Sequence, residues 1–202
     1  MRLEHVSRPA RPFSPDSPAF PIPDCGASRN PALEQLCREV DAAFAVAEAE
    51  PRASFGQRVR LALQRAIADP RVLRPDQRVS NPQGYCRHLL AADPLNRYAI
   101  AALVWEPGQA SPVHGHQTWC GYAVIEGALE ETLYRWDALE HRAIETRHHP
   151  RSSGAVSYVD AGRGAIHRLG NPADAAARAV SLHIYGVAGE QIATHVNDLL
   201  AA

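Results

Sequence analysis

The chain has 202 residues, 46% of them hydrophobic, and a formal net charge of −1 at neutral pH. This length and apolar fraction suit a single folded domain with a sizeable core and exclude wholesale disorder. The even charge balance argues against nucleic acid and membrane surfaces as partners, because both are bound through basic patches.

The residue types narrow the chemistry further. All 21 basic residues are arginine, which excludes Schiff-base lysine chemistry and a phosphate-loop lysine. No apolar run approaches the roughly 20 residues of a membrane span, and the first 23 residues lack the apolar segment of a signal peptide. The four cysteines show no paired spacing, so we expect reduced thiols and a cytoplasmic location. No feature of the sequence fixes an oligomeric state.

The first third of the chain divides into a tail and a helical part. Residues 1–30 are rich in proline, which predicts a tail with extended or irregular backbone. Residues 31–70 are predicted to form helices that pack on the rest of the protein. Apolar residues recur every three or four positions after Pro31, and Asn30 is placed to cap that helix. A second helix is predicted at 55–68.

Residues 71–202 change to short apolar runs separated by glycine, proline and asparagine. Such runs predict a β-sandwich or barrel. The predicted strands are 85–91, 98–105, 121–126, 131–136, 143–147, 155–159 and 179–185.

His114 and His116 are separated by one residue, just before a predicted strand. Side chains at such a spacing on a strand point to the same face, so the two imidazoles can form half of a metal site. His167 ends a later strand-like segment, with Gly164 before it and Asn171 after it.

These spacings resemble the two signature motifs of the cupin superfamily. The first maps to Gly108, His114, His116, position 120 and Gly127, and the second to Gly164, His167 and Asn171. The resemblance implies a mainly β fold, the double-stranded β-helix barrel (jelly roll), here with N-terminal α-helices. In that fold the three histidines converge on one metal ion.

Cys120 stands where typical cupins carry a glutamate ligand. The resulting ligand set would be three neutral imidazoles. An alternative is that Cys120 itself is a soft ligand and completes a His/Cys zinc site.

Four further features resemble the thiol dioxygenases, the cysteine dioxygenase family, over about residues 85–186. The sequence Ser181-Leu182-His183-Ile184-Tyr185 is similar to that family's Ser-x-His-x-Tyr strand. Tyr85-Cys86-Arg87 is similar to its Tyr-x-Arg, and Trp105 matches a tryptophan ahead of the metal motif. Cys120 lies where the mammalian enzymes carry a cysteine that is cross-linked to the tyrosine of the Ser-x-His-x-Tyr strand.

The resemblance implies an enzyme that holds Fe(II) through His114, His116 and His167. Its partners would be a small thiol and O2, and both oxygen atoms would move to sulfur, so that cysteine gives cysteine sulfinate. Arg87 would hold the substrate carboxylate with its planar fork, and Tyr85 would line the same pocket.

The resemblance also implies roles for the strand near the C-terminus. Ser181, His183 and Tyr185 alternate along it and would face inward as a relay, in which Ser181 orients His183 and His183 orients Tyr185. Cys120 and Tyr185 would lie side by side and could form a thioether cross-link.

The sequence departs from the mammalian enzymes at Gly115, where they carry aspartate, and at Gly186. Relatives specific for 3-mercaptopropionate carry glutamine where Arg87 stands, which favours cysteine as the substrate here. A 3-mercaptopropionate dioxygenase is the alternative within the family. Outside it, the alternatives are a non-catalytic metal-binding cupin and a zinc or manganese cupin isomerase or hydrolase that uses Cys120 as a ligand.

Overall fold

The structure, a computed structural model, describes residues 30–47 and 51–202. The tail predicted at 1–30 therefore lies outside the described residues, except for Asn30. None of the helices in the described ranges is both long enough and apolar enough to cross a membrane. The helices are α1 (Pro31–Val46) and α2 (Arg52–Ile67), and the strands are β1 (Cys86–Ala92), β2 (Ala99–Trp105), β3 (His114–His116), β4 (Cys120–Glu126), β5 (Ala128–Asp137), β6 (Arg142–Ser152), β7 (Val156–Val159), β8 (Gly162–Gly170), β9 (Ala179–Tyr185) and β10 (Asn197–Leu199).

The first helix begins where the sequence predicts. The side-chain oxygen of Asn30 accepts hydrogen bonds from the backbone N–H groups of Ala32 and Leu33 at 3.1 and 3.2 Å, so the predicted N-cap is confirmed. The second helix begins at Arg52, directly after Pro51, three residues earlier than predicted. Apolar periodicity locates the buried face of a helix, and it leaves the polar first turn undetected.

The strands form two five-stranded sheets in the orders β1-β2-β9-β4-β7 and β10-β3-β8-β5-β6. Every pairing between neighbouring strands is antiparallel. This is the predicted double-stranded β-helix barrel of the cupins, with the two helices at its N-terminal side.

Strand β9 is buried along its whole length because both of its faces are covered. Leu182 and Ile184 pack in one apolar cluster with residues of α1 and α2. The alternate residues Ser181, His183 and Tyr185 therefore face the interior of the barrel. The helices thus cover the outside of the sheet whose inside carries the candidate site.

Two glycines allow close approaches that hold β4 in place. A side-chain carbon at Gly121 would lie 2.8 Å from Val59 and 3.0 Å from Leu63, so α2 packs directly on the strand. Gly127 follows β4 with a φ of +70°, and a side-chain carbon there would lie 2.8 Å from the carbonyl oxygen of Arg178. Gly127 is the last glycine of the first predicted motif, and this tight turn explains its residue type.

Some strands differ from their prediction. Strand β6 extends to Ser152, well beyond the predicted 143–147, since it is an edge strand whose exposed polar residues give no apolar alternation. Strand β10 has only three residues and carries no pattern of its own. Tyr85 lies one residue before β1, so its predicted place on that strand is corrected.

Candidate active site and metal centre

Three buried histidines meet at one end of the barrel. His114 and His116 come from β3 and His167 from the neighbouring β8, where His114 pairs directly with His167. One ring nitrogen of each lies within 4.8 Å of the others. The predicted convergence of the three side chains is therefore present, and in the described part of the chain these are the residues grouped closely enough to hold a metal ion.

The separation of the ring nitrogens fits a shared metal ion. The Nε2 atoms of His116 and His167 are 3.0 Å apart. Two nitrogens that each lie about 2.0–2.1 Å from one ion, at a right angle, are separated by about 3 Å. The three-histidine site thus has the donor atoms and the spacing that metal binding requires.

Hydrogen bonds to the other ring nitrogens fix two of these histidines. The Nδ1 of His114 lies 2.9 Å from the carbonyl oxygen of Pro112, and the Nδ1 of His167 lies 2.7 Å from a carboxylate oxygen of Glu131. Both partners accept, so each Nδ1 carries the hydrogen and donates it. The Nε2 lone pairs are then left for a metal ion, which is the usual arrangement of metal-bound histidine.

The histidines of β3 are held in their neutral form. Burial, and then the electrostatic influence of the neighbouring His167, lower the pKa of His114 and of His116 to about 3. A neutral imidazole keeps the lone pair that binds a metal, whereas a protonated ring has none.

Glu131 contacts the candidate metal site and was missed by the sequence analysis. It is only 2% exposed, and it bonds His167 on one side and forms an ion pair with Arg151 on the other. Burial alone would raise the pKa of the Glu131 carboxyl, but its bonds and charges with His167 and Arg151 outweigh burial and lower it to about 2. The sequence does contain a hint of its position: Glu131 lies two residues after the apolar Leu129, so both side chains are on the same, buried face of β5.

The predicted relay on β9 is also assembled. The Ser181 hydroxyl lies 2.8 Å from Nε2 of His183, and the Tyr185 hydroxyl lies 3.1 Å from Nδ1 of the same ring. Burial, followed by the charge of Arg87, holds the pKa of His183 well below its ordinary value. The ring is therefore neutral and joins a serine to a tyrosine inside the barrel.

Arg87 reaches the same cavity from β1. One of its terminal nitrogens donates to the carbonyl oxygen of Ile192 at 2.8 Å. Its Nε is buried and has no hydrogen-bond partner among the described residues. The guanidinium carbon lies 6.0 Å from the ring centre of Tyr85 and 5.8 Å from that of Tyr185. A buried donor without a partner between two aromatic rings is a site for an anionic acceptor.

Cys120 begins β4 and pairs directly with Tyr185 of β9. Burial raises the pKa of the Cys120 thiol and that of the Tyr185 phenol, so both stay protonated at neutral pH. The sulfur is not among the ligand atoms that cluster within 4.8 Å of one another. Three imidazoles are therefore the ligand set that the geometry supports.

Almost all of these side chains line one cavity. The space between them, counted out to its open mouth, is about 360 Å³. Ser181 is the only predicted site residue that does not line it, because it lies behind His183. The predicted residues that do line it are Tyr85, Arg87, His114, His116, Cys120, His167, His183 and Tyr185.

Comparison with known proteins places this geometry in a family. The family model for cysteine dioxygenase type I matches residues 77–196. Among solved structures, the chain is similar to TT1209 from Thermus thermophilus, with 19% identity over 57% of this chain and 96% of that chain and a TM-score of 0.43. It is also similar to an RmlC-like cupin family protein from Methanocaldococcus jannaschii, with 13% identity over 60% and 93% of the two chains and a TM-score of 0.42.

A third similar structure is oxalate oxidase in complex with the substrate analogue glycolate. Its identity is 16%, over 54% of this chain and 53% of that chain, with a TM-score of 0.41. The family match spans more than half of the 202 residues and contains every residue predicted for the site. The chain therefore belongs to the cysteine dioxygenase type I family, which is part of the cupin superfamily.

Proposed function

We propose that this protein is an iron-dependent thiol dioxygenase whose substrate is L-cysteine. One cysteine and one O2 give one cysteine sulfinate, so both oxygen atoms end on sulfur and no further reductant is consumed. The observation that carries the proposal is the unpartnered Nε of Arg87 in the same cavity as three histidines without a carboxylate ligand.

The charge of the ligand set favours a thiolate substrate. His114, His116 and His167 contribute no negative charge when they are neutral. Iron bound there would supply the chemistry that brings the thiolate and O2 together and passes electrons from sulfur to oxygen. Glu131 keeps His167 oriented for this, and its own charge is balanced by Arg151.

Arg87 and Tyr85 would select the other end of the substrate. The guanidinium can donate two parallel hydrogen bonds to a carboxylate, and its bond to the Ile192 carbonyl holds it in position. The ring of Tyr85 stacks on Trp105 with ring centres 4.5 Å apart and forms a rigid wall beside it. The guanidinium and this ring therefore line the same part of the cavity.

Tyr185 would complete the contact with the substrate. Its hydroxyl is held by His183 at 3.1 Å and lies on the same wall as Arg87. Burial excludes water around these groups, so hydrogen bonds to a bound carboxylate are strengthened.

The second candidate is a 3-mercaptopropionate dioxygenase. This thiol has the same carboxylate for Arg87 but lacks the amine of cysteine. No aspartate or glutamate lines the cavity in the described part of the chain, so no side-chain charge there would select an ammonium group.

We further propose a cytoplasmic location, which the free thiols of Cys37, Cys86 and Cys120 support.

An oxygen-consumption experiment tests the proposal. The protein is loaded with Fe(II) without oxygen and then mixed with O2 and cysteine, 3-mercaptopropionate or cysteamine, and the products are identified by mass. We expect cysteine sulfinate with one O2 consumed per cysteine, and no consumption by a His167→Ala variant. If none of the thiols is oxidised, the non-catalytic cupin is the correct alternative. If protein purified without added metal contains zinc, and iron loading gives no O2 consumption, the iron assignment is wrong.

A further inference from the structure

Trp105 extends the relay of β9 by one residue. It ends β2, which pairs with β9, and its indole N–H donates to the Ser181 hydroxyl oxygen at 2.9 Å. Trp105 is 1% exposed and Ser181 is fully buried. The hydrogen-bonded series inside the barrel therefore runs from Trp105 through Ser181 and His183 to Tyr185.

The indole fixes the role of Ser181. A tryptophan N–H can only donate, so the serine oxygen must accept from Trp105. The serine hydroxyl has one hydrogen, and its other hydrogen-bond partner in the described part of the chain is Nε2 of His183. If His183 donated instead, the remaining partner of the serine hydroxyl in those ranges would be the indole N–H, which cannot accept a hydrogen bond, so the serine hydrogen would be buried without an acceptor. Ser181 therefore donates to Nε2 of His183.

Because Ser181 donates to His183, the imidazole of His183 must in turn donate to Tyr185. His183 is buried and has no carboxylate among its hydrogen-bond partners within the described ranges, so its ring carries a single hydrogen. Because Nε2 accepts, that hydrogen is on Nδ1 and is donated to the oxygen of Tyr185. The hydrogen of the Tyr185 hydroxyl is consequently free to point into the cavity.

We propose that Trp105 is a positioning residue that sets the direction of this relay and so makes Tyr185 a hydrogen-bond donor to the substrate carboxylate. With the opposite direction, Tyr185 would donate to His183 and would present only lone pairs to the cavity, which repel an anion. The Arg87 guanidinium carries only hydrogen-bond donors, so Arg87 and Tyr185 would both donate to the carboxylate. The identity of the anion rests on the proposed function, whereas the direction of the relay does not.

The ring nitrogen of His183 that carries hydrogen can be observed directly. Two-bond nitrogen–proton correlation spectra distinguish the two forms of a neutral imidazole. The full chain is labelled with ¹⁵N-histidine and kept metal-free, and the His183 signals are identified by their loss in a His183→Gln variant. We expect hydrogen on Nδ1 in the unaltered protein. Hydrogen on Nε2 would overturn the proposal.

Two variants remove the indole N–H. Trp105→Phe keeps an aromatic ring that can still stack on Tyr85, and replacement of Trp105 by 3-benzothienylalanine keeps the full shape of the indole without its N–H. The second variant serves if the first does not fold. Without the indole N–H, the serine hydrogen can turn away from His183 toward the ring that replaces the indole, so in both variants we expect the Nε2–H form of His183 to increase. A Trp136→Phe control, whose ring lies under Arg163, should leave the spectrum unchanged. An unchanged His183 form in the folded variants would remove this role from Trp105.

The kinetic consequence separates positioning from packing. Loss of one charge-assisted contact should lower kcat/KM for cysteine about tenfold, mostly through KM, and should lower that for cysteamine much less, because cysteamine has no carboxylate. In a Ser181→Ala background the same replacement should have no further effect. Equal losses for both thiols would mean that Trp105 only fills space. The spectra need no turnover, so a protein that oxidises no thiol would refute the proposed function and still report the direction of the relay.

Discussion

Cys120 and Tyr185 lie directly opposite each other where β4 pairs with β9. They are 3% and 4% exposed, and both line the cavity that contains the three histidines. Directly opposed residues in an antiparallel pair have side-chain carbons about 4.5–5.5 Å apart, so the thiol is close to the phenol ring. This pairing puts together two segments that are 65 positions apart in the chain.

We expect a thioether bond between the sulfur of Cys120 and the ring carbon beside the hydroxyl of Tyr185. Its formation releases two protons and passes two electrons to O2 in the iron-loaded protein. The bond would hold the phenol in place and remove the entropy cost of ordering it at each turnover. After turnover with cysteine, the intact mass should be lower by two hydrogen atoms.

Two variants serve as controls for the cross-link. Cys120→Ser and Tyr185→Phe should each show no loss of mass after the same treatment. An unchanged mass in fully active, unaltered protein would show that activity does not require the bond.

The metal site should depend on all three histidines. His167→Ala removes one of three ligands and also leaves Glu131 buried with one partner fewer, so we expect loss of tight iron binding and of activity. His148→Ala, on the exposed edge strand β6, is the matched control and should retain both. The metal content is measured by elemental analysis after dialysis, and full iron retention in the His167 variant would remove that residue from the site.

Glu131 should affect metal affinity and acid stability in separable ways. Glu131→Gln weakens the support of His167, and we expect the iron affinity to fall roughly 10–100-fold. Glu130→Gln changes the exposed neighbour on β5 and should have no such effect. Equal affinities of the two variants would contradict the role of Glu131.

The pH dependence follows from the lowered pKa of Glu131. Folding shifts this pKa from an ordinary value of 4.5 to about 2, so the charged carboxyl favours the folded state above pH 4.5. This contribution is lost as the pH falls from 4.5 through 2. In denaturant titrations of metal-free protein, the free energy of unfolding should differ between the unaltered chain and Glu131→Gln mainly above pH 4.5. A difference that stays constant down to pH 2 would contradict this origin.

The sequence predicts much of the site because strand alternation is a local property. The spacing of His114 and His116 on one strand, and of Ser181, His183 and Tyr185 on another, fixes which side chains share a face. Family motifs then supply the pairing of those strands. The fold class and the meeting of the three histidines are accordingly predictable from the amino-acid sequence alone.

Contacts between distant segments were not predictable in this way. Glu131 reaches His167 across the β5–β8 pair, and Arg87 reaches the carbonyl oxygen of Ile192, 105 residues further along the chain. Backbone carbonyl oxygens have no sequence signal, and an acidic residue on a strand is more often exposed than buried. The bond from Trp105 to Ser181 depends likewise on the register of β2 against β9.

Arg87 should determine the preference for a carboxylate-bearing thiol. Arg87→Gln removes the charge that would bind the substrate carboxylate in a buried cavity. A charge-assisted hydrogen bond contributes about 1.5–3 kcal/mol, so we expect the KM for cysteine to rise roughly 10–100-fold. Arg147→Gln, on the exposed edge strand β6, should leave the KM unchanged.

A comparison of three thiols tests the same residue against the alternative substrate. Cysteamine lacks the carboxylate, so it should be a poor substrate for the unaltered protein, and Arg87→Gln should affect its oxidation little. Cysteine and 3-mercaptopropionate both carry the carboxylate and should both lose efficiency in the variant, since Arg87 recognises the group that they share. The amine separates them: a clearly higher kcat/KM for 3-mercaptopropionate in the unaltered protein would assign that thiol as the substrate in place of cysteine.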